Sequence, residues 1–245
     1  MIPKILHYCW FGDCVMPMLA KQCIDSWQKY MPEYKLMRWD EDNFDIKASP
    51  LYVRQAYESK KYAFVSDYVR LWALEQYGGV YMDVDFEVFR SFDDIMESYD
   101  AFAGYEGSKH QPIMQGVIAS KPHGAWVIDM LRTYDDRRFI LPDGRMDLTT
   151  NTSYFTSRLL SQGFVADGVE KDVFVNGVYF FHVMPVWAFC PILTTGEDLR
   201  TNNTYCIHRG LKSWSKSEGI KSKILLLFSP SIRVLIIKIK RNFFG

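Results

Sequence analysis

Between Ala63 and Val88 the chain reads AFVSDYVRLWALEQYGGVYMDVDFEV, and few folds accommodate such a stretch. No proline or glycine interrupts it before Gly78-Gly79, so a helix is predicted, capped at Ser66 and ended by the glycine pair. Val80-Tyr81-Met82 is a short apolar run suited to a buried strand, and it finishes on Asp83-Val84-Asp85. In an extended segment residues i and i+2 point the same way, so Asp83 and Asp85 are expected to converge. Convergent carboxylates repel unless a cation lies between them. Hard oxygen ligands at a strand end suit Mg²⁺ or Mn²⁺, which complete their shells with waters and substrate phosphates.

Taken alone, a D-x-D is more often an acidic loop facing water. The helix before it changes that balance. Asp67 and Arg70 lie one turn apart on the face of Leu71, Leu74 and Tyr77, while Val69, Trp72 and Ala73 make the other sides apolar. Charges on a helix buried all round are costly unless they pair or bind something. A purely structural Asp67–Arg70 ion pair is the plain alternative. The acidic site just downstream favours ligand binding.

Length admits one large domain with a tail, expected as residues 1–222 and 223–245. The 29 Lys and Arg balance 29 Asp and Glu, so no global field points to nucleic acid. Five cysteines, an odd number without metal-type spacing, fit reduced thiols in a cytoplasmic protein better than a disulfide framework. The start, MIPKILHYCWFG, lacks the pattern of a signal peptide, and no run of about 18 uninterrupted apolar residues suggests a spanning helix.

Along the chain, Ile5 to Phe11 reads as a buried strand, Met18 to Tyr30 as a helix and Lys35 to Trp39 as a second strand running into Asp40. Strand, helix, strand opens an α/β sheet, and such sheets bind ligands beyond the carboxyl ends of their strands. Trp10, Asp40 and Asp83 all lie near those ends, so one shared crevice is expected. Further strands are predicted at Ala101–Tyr105 and Gln115–Ala119 and within Val173–Val183, with helices at Ala125–Tyr134 and Tyr154–Leu160. A last core strand is expected at Thr204–His208. His208 draws interest only as a third ligand for a cation at Asp83 and Asp85; His7, His110, His123 and His182 read as structural.

The tail changes character. On a helical wheel Ile232, Leu235, Ile236, Ile239 and Phe243 form one stripe, with Arg233, Lys238, Lys240 and Arg241 elsewhere. Such a segment can lie in a membrane interface with its basic side chains on anionic headgroups. A helix docked on the domain, or a strand, is the alternative.

Three blocks together, IPKILHYCWFG, FVSDYVRLWALEQYGGVYMDVDFEV and IHRGLKSW, resemble bacterial members of glycosyltransferase family 32, the sugar-binding-region family containing a D-x-D motif. Yeast initiating α-1,6-mannosyltransferases are related to it. The resemblance covers roughly Ile2 to Trp214. It implies a GT-A-type α/β fold with a mixed central sheet, a D-x-D-bound Mn²⁺ or Mg²⁺, and retention of anomeric configuration. Trp10 then matches the aromatic that stacks on the donor base, and Asp67 and Arg70 the pair that holds the donor's hydroxyls. Asp83 and Asp85 match the D-x-D. His208, Ser213 and Trp214 match the block that closes over the diphosphate, although Arg209-Gly210-Leu211-Lys212 departs from the usual H-H-Y-x-x-S-W sequence. Ser66 and Asp40 complete the expected donor site.

The expected activity is transfer of a hexose or N-acetylhexosamine from a nucleoside diphosphate, most simply UDP, to a glycan acceptor. A lipid-linked acceptor in surface polysaccharide or capsule synthesis, at the cytoplasmic face of a bacterial inner membrane, suits the tail. Leaving-group charge would be stabilised by the cation and basic donors. No carboxylate identifies itself as a nucleophile, which favours front-face attack by the acceptor. The same carboxylates also suit a metal-dependent phosphohydrolase, and a carbohydrate- or membrane-binding module is the non-enzymatic alternative.

Overall fold

Short apolar runs separated by amphipathic stretches fold into a mixed sheet flanked by helices. The computed structural model describes residues 1–107, 112–193 and 195–211, and Met1–Arg209 forms one compact unit. β1 (Ile5–Cys9), α1 (Met18–Tyr30) and β2 (Lys35–Trp39) lie as the sequence indicates. α2 (Leu51–Glu58) and α3 (Tyr62–Tyr77) lead to β3 (Gly79–Met82) and β4 (Phe86–Val88). Next come α4 (Asp93–Ser98), β5 (Ala101–Tyr105), β6 (Ile113–Ser120), α5 (Ala125–Arg132) and α6 (Asn151–Ser161). β7 (Lys171–Val175), β8 (Val178–Met184), α7 (Val186–Phe189) and β9 (Cys206–His208) complete the described elements.

Seven strands make the central sheet in the order β2-β1-β3-β6-β5-β8-β7. β1 runs parallel to β2 and β3, β6 is antiparallel to β3 and β5, and β5 is parallel to β8. This is the expected α/β architecture with a mixed sheet. The carboxyl ends of β1, β2 and β3 lie side by side, so Trp10, Asp40 and Asp83 share one edge within about 10 Å, two strand spacings. The backbone ties the ends of β1 and β2 together, because Trp10 N–H donates to the carbonyl of Trp39, the residue before Asp40, at 2.9 Å.

Strand alternation assigns the two faces. Val80 and Met82 enter the cluster containing Trp27 of α1, whereas Tyr81 joins the opposite cluster under α3. Gly78 (φ +62°) and Gly79 (φ +108°) reverse the chain out of α3, and a Cβ on Gly79 would lie 2.6 Å from the Ile5 carbonyl oxygen. His7 pins the same turn: it meets the Gly78 carbonyl at 2.8 Å and accepts from Trp39 Nε1–H at 3.1 Å. An imidazole that accepts at Nδ1 is neutral and donates from Nε2.

Burial lowers the His7 pKa from 6.5 to about 4. The unfolded chain therefore takes up the proton first, and stability is lost as pH falls from 6.5 toward 4, by roughly 3 kcal/mol at 1.36 kcal/mol per unit. Urea unfolding at pH 7 and pH 4.5 checks this. His7→Gln should flatten the pH dependence over that window.

Three expectations need correction. Ser66 does not cap α3, which begins four residues earlier at Tyr62; the Ser66 hydroxyl instead donates back to the Tyr62 carbonyl at 3.0 Å. The Thr204–His208 strand is shorter and leaves the main sheet, because β9 pairs with β4 in a separate two-stranded ladder. α1 supports that ladder through Trp27 Nε1–H to the Phe86 carbonyl at 2.7 Å. Finally, Asp83-Val84-Asp85 is a turn, closed by Phe86 N–H on the Asp83 carbonyl, and not an extended segment. Ser213, Trp214 and the amphipathic stretch 232–244 lie outside the described residues.

Candidate active site

α3 passes over the sheet beside β3 and lowers Arg70 onto the Tyr81 ring, 4.6 Å from its centroid. The guanidinium then serves four acceptors. It reaches Asp67 Oδ1 at 3.0 Å and Asp83 Oδ1 at 3.4 Å, and donates to the Ser66 carbonyl at 3.2 Å and the Gln115 carbonyl. Tyr81 O–H donates to the same Asp83 oxygen at 2.8 Å. The structural ion pair and the acidic site are thus one cluster rather than alternatives. Within it Asp83 is the open member, with 36% of its side chain exposed against 7% for Arg70.

Asp67 is held from the far side by the start of α6. Asn151 N–H donates to Asp67 Oδ2 at 3.3 Å, and Asn151 Nδ2 donates to the Asp67 carbonyl at 2.6 Å. An anion at a helix N-terminus is favourably placed. Burial nevertheless dominates and raises the Asp67 pKa against the opposing pull of Arg70.

The turn sends the two acids of the D-x-D to different neighbours. Asp83 faces Arg70 and Tyr81, while Asp85 Oδ2 lies 3.2 Å from His208 Nε2. β9 brings His208 there, stacked on Phe86 at 4.7 Å, and Arg209 N–H anchors the Asp85 carbonyl at 2.7 Å. The Arg209 side chain is occupied by Glu87, which leaves it less suited to a phosphate than its charge suggests.

Burial first raises the Asp83 pKa, and the charge of Asp85 adds to that, with Arg70 opposing both. Burial lowers the His208 pKa, but Asp85 outweighs it and leaves the imidazole well above its ordinary value. A protonated imidazole is a counter-ion to Asp85 and ligates metal only after losing its proton.

The donor set fits a divalent cation. Asp83 and Asp85 offer hard oxygens that raise each other's energy, and a cation between them would relieve that repulsion. Among the described residues no group of three His, Cys, Asp or Glu is arranged to hold a metal by itself. Two carboxylates plus substrate phosphates are the usual Mg²⁺ arrangement.

Gly116 on β6 makes the room. A Cβ there would lie 2.7 Å from the Phe86 ring and 3.0 Å from Asp83 Oδ2. Gly116→Ala should therefore displace Asp83, lowering metal-dependent turnover by about 10–100-fold and stability by about 1–3 kcal/mol. Steady-state kinetics and thermal melting read the two effects separately.

Several partners were not singled out from sequence. Tyr81 was two residues before Asp83 and on its face, a signal that strand periodicity contains. Asn151, Gln115 and Gly116 carry no local signal, since they reach α3 and the D-x-D only through tertiary contacts. Asp40, by contrast, is engaged locally, by Arg38 Nε at 2.8 Å and Asp42 N–H at 3.0 Å. Trp10 is half-buried, its indole N–H donating to the Cys14 carbonyl at 2.8 Å.

Residues 17–102 match the family described as "glycosyltransferase sugar-binding region containing DXD motif". Over those residues the chain is similar to glycosyltransferases of the DXD family. Asp40, Ser66, Asp67, Arg70, Asp83 and Asp85 fall within the matched residues; Trp10 and His208 lie outside them. No curated protein matches the chain. Among solved structures, it is similar to the PaToxG glycosyltransferase at 20% identity, over 54% of this chain and 59% of that one, with a TM-score of 0.45. The chain thus spans 59% of that structure's length. It is also similar to a glycosyltransferase involved in the glycosylation of the major capsid of PBCV-1, at 12% identity over 96% of this chain and 100% of that one, with a TM-score of 0.46.

Proposed function

We propose that the chain moves a hexose or N-acetylhexosamine from a nucleoside diphosphate to a glycan acceptor, with Mn²⁺ or Mg²⁺ at Asp83 and Asp85. The observation that carries this reading is Arg70 bridging Asp67 to Asp83 at the carboxyl edge of β1, β2 and β3. In this reading the groups for the sugar and for the phosphates belong to one cluster. In this reading Trp10 stacks on the base and Asp40 lies beside it. Asp67 and Arg70 receive sugar hydroxyls, and His208 faces the diphosphate. The cation supplies neutralisation of charge that develops on the leaving phosphate oxygens. Arg70 stays fixed by its backbone acceptors, so it needs no reorganisation as that charge develops.

UDP is the preferred nucleotide, and front-face attack with retention is the preferred stereochemical course. The test is release of nucleoside diphosphate from UDP-glucose, UDP-galactose, their N-acetyl forms and GDP-mannose, with Mn²⁺ and with EDTA. Metal-dependent release from one donor supports the reading. Phosphate-ester cleavage without sugar specificity would favour a phosphohydrolase, and no nucleotide binding at all a binding module.

We also place the acceptor on a lipid carrier at the cytoplasmic face of a bacterial membrane, from the basic amphipathic pattern of residues 223–245. Among the described residues no helix is long and apolar enough to cross a membrane. Truncation after Ser222 is expected to abolish sedimentation with anionic liposomes; unchanged binding would remove this part of the reading.

A further inference from the structure

The segment joining α5 to α6 contains a buried polar chain that ends on Asp67. Tyr134 is fully buried, and its hydroxyl donates to Asn151 Oδ1 at 2.7 Å. Asn151, itself 1% exposed, donates from its side-chain Nδ2 to the Asp67 carbonyl and from its backbone N–H to the Asp67 carboxylate. The Tyr134 ring is wedged edge-on between Tyr52 of α2 and Tyr68 of α3, at 5.2 and 5.1 Å. Arg137 lies among three tyrosines, 4.5 Å from the Tyr52 centroid, 4.6 Å from Tyr154 and 5.0 Å from Tyr134, and is tied to Asp147 at 2.9 Å. Its Nη1 has no hydrogen-bond acceptor, so the tyrosine faces are its surroundings.

We infer that Tyr134, clamped by the Arg137 cage, is a positioning residue for the donor's sugar, acting through Asn151 on Asp67. The inference rests on the reading that Asp67 receives sugar hydroxyls. An asparagine amide is nearly symmetric in shape, and only its hydrogen-bond partners decide which end is oxygen. Tyr134 supplies a donor, which fixes oxygen on its side and turns the NH₂ toward the Asp67 carbonyl. Without that hydroxyl the amide can rotate, the Asp67 carbonyl loses its side-chain donor, and the Asn151 backbone N–H that holds the Asp67 carboxylate at 3.3 Å is no longer pinned, while the pairing with Arg70 stays. The consequence is misplacement of one carboxylate without loss of the fold. Two buried tyrosines share the cage, yet only Tyr134 reaches Asn151, and this supplies an internal control.

The experiment compares Tyr134→Phe with Tyr52→Phe. It measures kcat and KM for the donor that the wild type hydrolyses fastest among the UDP-sugars and GDP-mannose, Kd for free UDP or GDP, and thermal melting. Tyr134→Phe should lower kcat/KM for the intact donor about 10-fold. It should bind the free nucleotide as the wild type does, because the nucleotide lacks the sugar. Tyr52→Phe should match the wild type in both. If Tyr134→Phe fails to fold, Arg137→Lys carries the test, since it keeps the charge but loosens the planar packing on Tyr134, and the same split is expected. Equal losses in both tyrosine variants, loss of free-nucleotide binding in parallel with donor turnover, or unchanged turnover in Tyr134→Phe would overturn the inference. A wild type that turns over none of the donors would remove the proposed function and this inference together, and the wild-type arm alone reports that case.

Discussion

Replacing Arg70 by methionine should lower the unfolding free energy by about 3–5 kcal/mol, the range for removing one partner of a buried ion pair. The direction follows from what is left behind. Asp67, Asp83 and the carbonyls of Ser66 and Gln115 all face the guanidinium, and methionine satisfies none of them. With Arg70 gone, burial loses its main opponent at Asp67 and at Asp83, and both acids are driven further toward the protonated form. A protonated Asp83 no longer suits a divalent cation, so metal-dependent donor cleavage should fall below detection in whatever protein remains folded. Urea unfolding with and without Mn²⁺ reads both effects. Arg70→Lys keeps the charge but not the forked geometry that serves four acceptors at once, so a partial loss is expected. Stability and turnover both within error of wild type would mean the cluster is not what holds α3 to the D-x-D.

The second large effect is mainly on activity. Asp85→Asn should reduce metal-dependent release of nucleoside diphosphate by about 10²–10³-fold, the scale for losing one electrostatic stabiliser of a developing charge. The melting temperature should fall only by what the Asp85–His208 pair contributes, and EDTA should leave it unchanged in the wild type. Asparagine keeps the shape, the backbone carbonyl still receives Arg209 N–H at 2.7 Å, and the Phe86–His208 stack does not depend on the charge. EDTA should reproduce the loss in the wild type, and excess Mn²⁺ should not restore the variant. A structural ion would behave differently: EDTA would lower the melting temperature of the wild type, and that result would move the D-x-D from chemistry to scaffolding.

Much of the fold was legible because local pattern and burial agree. α1 and β2 occupy the residues their apolar spacing predicts, and Gly78-Gly79 ends α3 where it should. α3 was recognisable as buried on every side, and eight of its residues are buried. Its beginning was misplaced because a serine inside a helix can donate to its own preceding turn, and sequence does not distinguish that from a cap. α2 gave no signal that separated it from the loop before it. The Thr204–His208 segment reads as a strand in either sheet, and only its pairing with β4 removes it from the main one.

The sequence by itself determined the chemistry of the candidate site: two acids one residue apart at a strand end, and an acid and a base one turn apart on a helix with no open face. Those are properties of covalent neighbours, and periodicity carries them. Tertiary structure decided what these residues face. It bent the D-x-D into a turn, so that Asp83 answers to Arg70 and Asp85 to His208. It also brought Asn151 from 84 positions away to hold Asp67, and left Gly116 bare beside Asp83. The physical reason is that hydrogen bonds and close contacts depend on distances of a few ångströms between segments, and no local preference of either segment encodes that separation.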